Sequence, residues 1–436
     1  MHNLPEIELM EPQIEYLLDD TTKFLGIAGS FRAGKTYIDC LKAVRLSYLN
    51  LNSGADGLMG MPTQSLIQGV LVPTFEDVME KLNWCDHKVK NRCWYEIFSS
   101  ATNSRIELHF PQGDFTIYLR STENYNRIRG FTLAWFIVDE FDTSKEEICQ
   151  QAWMKLTGRL TRGNVIQGCV SSTKEGFKWL YGYFVKNAGP DRKLIEILVK
   201  DNPYIDKDYV ERMKHQLTEK QFAAMILNEW INMTEGNVYE SYDRVKNRSR
   251  ERLENHPRAP VNIGIDFNIN KMACTIAIMI GRNTHIVKEL YGCKNTEDLI
   301  NKLRPLIKGR EVHCFVDFSG TFVQSNFTSA SLTDVNQLRA AFGAENVHYF
   351  KGHIPVADRI GVVNQRFCNA AGVRSLFIND DKDCAPKLAS DCEEQGFVDG
   401  KPDKSNNKDH LPDALGYEES YLFAPQHIRA KVKVLV

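Results

Sequence analysis

One octapeptide constrains this chain more than anything else in it: Gly29-Ser30-Phe31-Arg32-Ala33-Gly34-Lys35-Thr36 fits the pattern G-x-x-x-x-G-K-[ST]. In such a loop backbone N–H groups wrap phosphate oxygens, the lysine reaches the β and γ oxygens, and the hydroxyl holds Mg²⁺. The motif needs a strand before it and a helix after it. Leu25 to Ala28 is a short apolar run, and from Tyr37 to Leu49 apolar residues recur at helical spacing (Ile38, Leu41, Val44, Leu49). The reading is a nucleotide site with ATP and Mg²⁺ as cofactors, built from Gly29, Ser30, Arg32, Ala33, Gly34, Lys35 and Thr36. Arg32 is a candidate to lie along the triphosphate, and Gln13, upstream of the strand, a candidate for the adenine edge.

A second element supports ATP hydrolysis. The apolar run Ala134-Trp135-Phe136-Ile137-Val138 ends in Asp139-Glu140, as a Walker B strand does. There the Asp supports Mg²⁺ and the Glu orients the attacking water. Phosphoryl transfer also wants a cation on the developing charge, often supplied by a neighbouring subunit. Arg127 and Arg129, just ahead of this strand, are the candidates, with Arg159 and Arg162 as rivals.

With 436 residues, 43% of them apolar, the chain is long enough for two or three domains with their own cores. No run approaches the ~18 apolar residues that span a bilayer; the longest, Met272 to Ile280, reads as a strand. The amino end has no basic or apolar leader, so neither export nor a membrane anchor is expected. Eleven cysteines without a C-x-x-C pair, several inside apolar runs (Cys169, Cys274, Cys314), suit reduced buried thiols. A formal net charge of −2 does not argue against nucleic acid, because a DNA footprint is a local patch. Arg244, Lys246, Arg248, Arg250, Arg252 and Arg258 lie close together, either as a solvated linker or as a DNA-facing patch.

Composition and breakers divide the chain into a P-loop core at 1–185, a small helical lid at 186–235, a linker at 236–259, a second α/β domain at 260–425 and a basic tail at 426–436. The second domain carries its own acids. Asp266 ends the strand from Val261, Asp317 ends the strand from His313, and Asp413 lies near the start of an apolar helix. Two strand carboxylates and one from a late helix suit a two-metal phosphodiester site, since Mg²⁺ and Mn²⁺ take oxygen ligands and two ions about 4 Å apart clamp the attacking and leaving oxygens. Asp409 is an alternative third ligand, and His410 stands beside it. The order strand, hairpin, helix, strand, helices matches an RNase H topology.

Together these motifs resemble the large terminase subunit of tailed bacteriophages over nearly the whole length. The residues that carry the resemblance are the Gly29–Thr36 loop, Ile137-Val-Asp-Glu140, Ser171-Ser-Thr173, Asp201-Asn-Pro-Tyr204 with Asn228-Glu-Trp230, and the closing Asp413-Ala-Leu-Gly-Tyr417. It implies an α/β chain with an N-terminal P-loop (ASCE-type) ATPase, a small helical lid and an RNase H-like nuclease domain. It further implies translocation of double-stranded DNA into a procapsid and two-metal cleavage of a concatemer. The expected partners are DNA, a portal protein, a small terminase subunit and further copies in a ring, commonly of five in that family. Ser171 to Thr173 would couple hydrolysis to movement, and the tail would contact the portal. The expected location is the host cytoplasm, docked transiently on the procapsid and absent from the mature virion. The rival readings are a helicase-like ATPase with an appended nuclease, which needs a second motor lobe, and an ATP-gated DNA-binding adaptor with an inactive nuclease fold.

Overall fold

The computed structural model describes residues 7–84, 94–100, 103–128, 130–174, 176–233, 236–268, 271–322 and 333–424. Arg129 and the basic tail at 426–436 lie outside them. The chain divides into two compact units, Met1–Glu211 with Lys220–Met233, and Arg212–Glu219 with Thr234–Val436.

The first unit is built on eight strands: β1 (Phe24–Gly29), β2 (Asp56–Met61), β3 (Tyr95–Phe98), β4 (Arg105–Phe110), β5 (Gly113–Ser121), β6 (Leu133–Val138), β7 (Gln167–Ser172) and β8 (Arg192–Ile197). Their order is β3-β4-β5-β2-β6-β7-β1-β8. From β5 to β8 every pairing is parallel, and β3 and β4 add an antiparallel edge. Strands β1, β6 and β7 are buried along their whole length, which is why they read as continuous apolar runs rather than alternating ones. The phosphate-loop strand β1 and the acid-tipped strand β6 are separated by β7, so three strand ends converge where the loop begins.

The 186–235 stretch is not wholly a helical lid. It first supplies β8, which pairs with β1, and only then two short helices, Tyr209–Gln216 and Glu219–Met225. Strand β8 reads Arg-Lys-Leu-Ile-Glu-Ile, mixing polar with apolar residues as an edge strand does.

In the second unit the sheet runs β13-β12-β9-β10-β11-β14, with β9 (Val261–Asp266), β10 (Met272–Ile280), β11 (Asn283–Cys293), β12 (Val312–Val316), β13 (Val347–His348) and β14 (Leu376–Ile378). Strands β9, β10 and β11 are antiparallel neighbours, while β12 runs parallel to β9. This is the RNase H-like arrangement, and it leaves the carboxyl ends of β9 and β12 side by side. The helix His410–Phe423 crosses β9 at Gly264, where an added Cβ would lie 2.2 Å from the carbonyl oxygen of Ala414. Only glycine permits that approach, and it brings Asp413 to the same sheet end as Asp266.

The 236–259 stretch, expected as a linker, is part of the second unit. Val238 and Tyr239 are buried in its core, and Asn247 donates from Nδ2 to the carbonyls of Phe367 (2.9 Å) and Leu376 (2.8 Å). Its arginines face acids of the same unit: Arg244 meets Asp380 and Glu393, Arg248 meets Asp380 and Asp381, and Arg252 meets Asp381 and Asp383.

Candidate nucleotide and metal sites

The helix Lys35–Leu49 starts at the phosphate loop, with Gly34 at its cap in the left-handed region (φ 81°). Its first N–H groups therefore point into the loop, a ready anion site. Lys35 is only 6% exposed. Its ammonium donates to the carbonyls of Gly29 (3.1 Å) and Ser30 (3.3 Å) and to Thr173 Oγ1 (3.0 Å), with Glu140 at 3.7 Å. The side chain already lies across the loop, because a Cβ on Gly29 would collide with its methylenes at 2.9 Å.

Thr36 donates its hydroxyl to Asp139 Oδ2. Asp139 is buried, and its Oδ1 accepts from the N–H of Glu140 at 2.8 Å. Glu140 has a left-handed backbone (φ 52°), a strained conformation for a residue with a Cβ. The turn sends its carboxylate back toward Lys35 rather than along the strand. Strand β7 ends beside these groups: Ser171 Oγ lies 2.7 Å from Asp139 Oδ1 and also reaches Asp39.

The loop is anchored on its other side as well. Ser30 accepts from the N–H of Val199 at 3.0 Å, Phe31 N–H donates to Met225 O at 2.8 Å, and Asn202 Nδ2 donates to Arg32 O at 2.8 Å. Lys174, following the Ser171–Thr173 motif, is buried and donates to Glu196 and to Asn228 O, both at 2.7 Å, with its ammonium 4.6 Å from the centre of the Trp230 ring. Ala33 is buried under the loop, and Arg32 is exposed on it.

Gln13 is nearly buried. It takes the N–H of Met10 at 3.1 Å and reaches Gly34 O at 3.4 Å, so both ends of its amide are engaged by the chain. Arg127 closes a 3₁₀ turn at Thr122–Arg127 and is exposed. Neither Asp39 nor Tyr16 follows from motif spacing. Asp39 had a signal of its own, a carboxylate in a helix buried on nearly every face.

In the second unit Asp266, Asp317, Asp409, His410 and Asp413 line one open cleft of about 570 Å³, together with Asn268, Lys271 and Lys404. Asp266 ends β9, Asp317 follows β12, and Asp409 immediately precedes the helix that carries Asp413. Asp266 Oδ2 is met by Asn268 Nδ2 at 2.5 Å and by His410 Nδ1 at 3.1 Å. That contact raises the histidine's pKa and favours its charged form. Asp317 takes the N–H of Ser319 at 3.3 Å and faces His353 at 3.6 Å. Asp413 is held at both oxygens: buried Arg359 donates to Oδ1 at 2.6 Å, and Lys404 to Oδ2 at 3.2 Å. Burial raises the pKa of Asp413, and Arg359 and Lys404 pull it back down. Lys404 also lies 3.2 Å from Asp409.

The donor set suits hard divalent cations, being carboxylate oxygen throughout its acids. None of these acids joins a group of three with ligand atoms within 4.8 Å of one another; among the described residues only Glu96, Glu107 and His109 do so. Glu107 is paired with Arg105 and His109 with Asp114, all on β4 and β5. The cleft acids are thus spread along an opening rather than gathered round a point.

No protein-family model and no curated protein matches the sequence. Among solved structures, the large terminase of the thermophilic bacteriophage D6E superposes with a TM-score of 0.67 at 16% identity, over 95% of this chain and 99% of that one. The same protein in complex with ADP superposes at 0.65 and 17%, over 95% and 100%. The chain has the large-terminase fold. In this chain that fold joins a phosphate-loop unit to an RNase H-like one, which accounts for acid-tipped strands in both units. The second unit's sheet, in which β9, β10 and β11 are antiparallel neighbours, is also unlike the parallel sheet of the second motor lobe on which a helicase reading depends.

Proposed function

We propose that the protein is a phage DNA-packaging motor and nuclease, a terminase large subunit that hydrolyses ATP to move double-stranded DNA into a procapsid and cuts the concatemer. The observation that carries this reading is the presence in one chain of a complete phosphate loop, with Lys35 and Thr36 set against Asp139 and Glu140, and of an open cleft lined by Asp266, Asp317 and Asp413. The D6E protein has been seen in complex with ATP-γ-S and with ADP, and nucleotide at the Gly29–Thr36 loop is assigned here by that analogy.

At the first site Lys35 holds the β and γ oxygens, Thr36 and Asp139 place Mg²⁺, and Glu140 orients water. Arg127 or Arg129 of a neighbouring copy would supply the cation. At the second site two bound Mg²⁺ or Mn²⁺ would clamp the attacking and leaving oxygens. Asp266, Asp317 and Asp413 hold them there, with Asp409 as the alternative third ligand. Arg359 keeps Asp413 aimed into the cleft. The partners would be the portal, a small subunit and further copies of the chain in a ring of five. The setting would be the host cytoplasm on the procapsid, without incorporation into the virion.

Procapsids bearing the portal, linear DNA and ATP test the motor directly. The wild type should render DNA resistant to added nuclease and Lys35→Ala should not; failure of the wild type to protect any DNA contradicts translocation. One observation favours a second reading, an ATP-gated DNA-binding adaptor: both oxygens of Asp413 are occupied by side-chain cations. That reading requires no metal-dependent cleavage.

A further inference from the structure

Phosphate binding and water positioning leave one buried acid of the first unit without a task. Asp39 lies on the helix that follows the phosphate loop, wholly buried. Tyr16, on the helix Glu11–Leu18, donates its hydroxyl to Asp39 Oδ1 at 2.7 Å. Ser171, at the end of β7, is within hydrogen-bond reach of Asp39 Oδ2 and, at 2.7 Å, of Asp139 Oδ1.

A count of protons decides how these contacts are made. Ser171 has one hydroxyl hydrogen and two carboxylate neighbours. Asp139 accepts from the Thr36 hydroxyl and from the Glu140 N–H, as an anion does. If Ser171 gave its proton to Asp39, its contact with Asp139 would set lone pair against lone pair. One assignment supplies every contact with a single hydrogen and keeps Asp139 anionic: the proton sits on Asp39 Oδ2.

We propose that Asp39 is a protonated positioning residue of the nucleotide site, whose carboxyl O–H donates to Ser171 Oγ so that Ser171 donates to Asp139 and fixes that carboxylate beside Thr36. The proposal rests on the reading of the phosphate loop as an ATP site and adds a residue to it. The groups facing Asp39 agree with a neutral acid. Burial and the neighbouring charge of Asp139 push its pKa up to about 8, with Ser171, Tyr16 and Lys35 opposing. Burial likewise raises Cys40 beside it and Cys169 on β7. Because Ser171 belongs to the strand end expected to couple hydrolysis to movement, the relay ties the position of that strand to the metal-holding carboxylate.

The test is fluorescence titration of the full chain with mant-ADP, first in EDTA and then with Mg²⁺ added, for the wild type, Asp39→Asn, Asp39→Ala and Ser171→Ala. In EDTA all four should bind alike. The Mg²⁺ half-saturation of Asp39→Asn should match the wild type, because the amide donates to Ser171 and accepts from Tyr16 as the protonated acid does. In Asp39→Ala and Ser171→Ala it should weaken about tenfold, the effect of losing a hydrogen bond to a charged group. Asp39→Ala or Ser171→Ala behaving as wild type overturns the proposal, as does Asp39→Asn losing Mg²⁺ as badly as Ala. If Asp39→Ala fails to fold, Asp39→Asn and Ser171→Ala still decide it. A wild type that binds no mant-ADP would overturn the underlying nucleotide site, a result distinct from either.

Discussion

The two sites are made by opposite means. In the first unit the loop is closed on itself: Lys35 lies on the carbonyls it wraps, Thr36 is bonded to Asp139, and three strands bring their buried ends together. In the second unit the acids stand apart round an open cleft, and fixed cations hold Asp413 in place. The first arrangement is preorganised by backbone, the second by charge. A backbone cradle holds its N–H groups in place before phosphate arrives, and only the Lys35 ammonium must leave the Gly29 and Ser30 carbonyls to reach it. A cleft of spread carboxylates would be completed by the ions and substrate that the proposed nuclease binds.

The contrast predicts independence of the two chemistries, and the largest effects test it. Asp266→Ala and Asp317→Ala should each lower metal-dependent cleavage more than about 10³-fold, since each removes an oxygen ligand from the ions that do the chemistry, while ATP turnover is unchanged. Glu140→Ala should lower ATP turnover by about 10²-fold or more, losing the water-positioning group, while mant-ADP binding and plasmid cleavage persist. Steady-state phosphate release and gel assays on the same preparations check both. Cleavage lost in Glu140→Ala would break the comparison.

Smaller effects sharpen it. Arg359 and Asp413 are both buried, so Arg359→Met leaves the Asp413 carboxylate with only the exposed Lys404 ammonium for a partner and should cost about 3–5 kcal/mol in denaturant unfolding. Lys404 touches the same carboxylate from a side chain 57% exposed, and Lys404→Met should cost less than about 1 kcal/mol. Equal costs would show that the cleft is not organised from its buried side.

A pH effect sharpens the comparison at the first site. Burial and the neighbouring charge of Asp139 push Asp39 up to about 8, above its ordinary carboxylate value. Its proton therefore stabilises the fold fully below the unfolded value near 4, and that contribution declines as pH rises toward 8. Thermal melts of the wild type relative to Asp39→Asn should show the wild type losing ground between pH 5 and 8, and a flat difference would place no proton on Asp39.

What the sequence made legible follows the same division. The phosphate loop is contiguous, so its eight residues announced both the site and the elements on either side. Strands β6, β9 and β12 are apolar runs tipped by acids, and that pattern placed Asp139, Asp266 and Asp317 where the sheets put them. The third acid was readable only as a choice between Asp409 and Asp413, because a helix start offers both and tertiary packing at Gly264 positions them. Arg359, Lys404 and Asn268 were invisible, since each acts through a partner far away in sequence or through the fold of a loop. Strand β4, Arg105-Ile-Glu-Leu-His-Phe110, alternates strictly, a half-buried strand legible in its sequence. The arginines from Arg244 to Arg252 misled in the other direction: their opposing acids lie at 380–393, beyond any local window.

The measurement that tests the central claim most directly is cleavage of supercoiled plasmid in Mg²⁺ or Mn²⁺ by the wild type, Asp266→Ala and Asp317→Ala. A packaging motor with its own two-metal nuclease predicts nicking and linearisation by the wild type and intact plasmid with either variant. Cleavage that survives both substitutions, or a wild type that never cuts although it hydrolyses ATP, would contradict it.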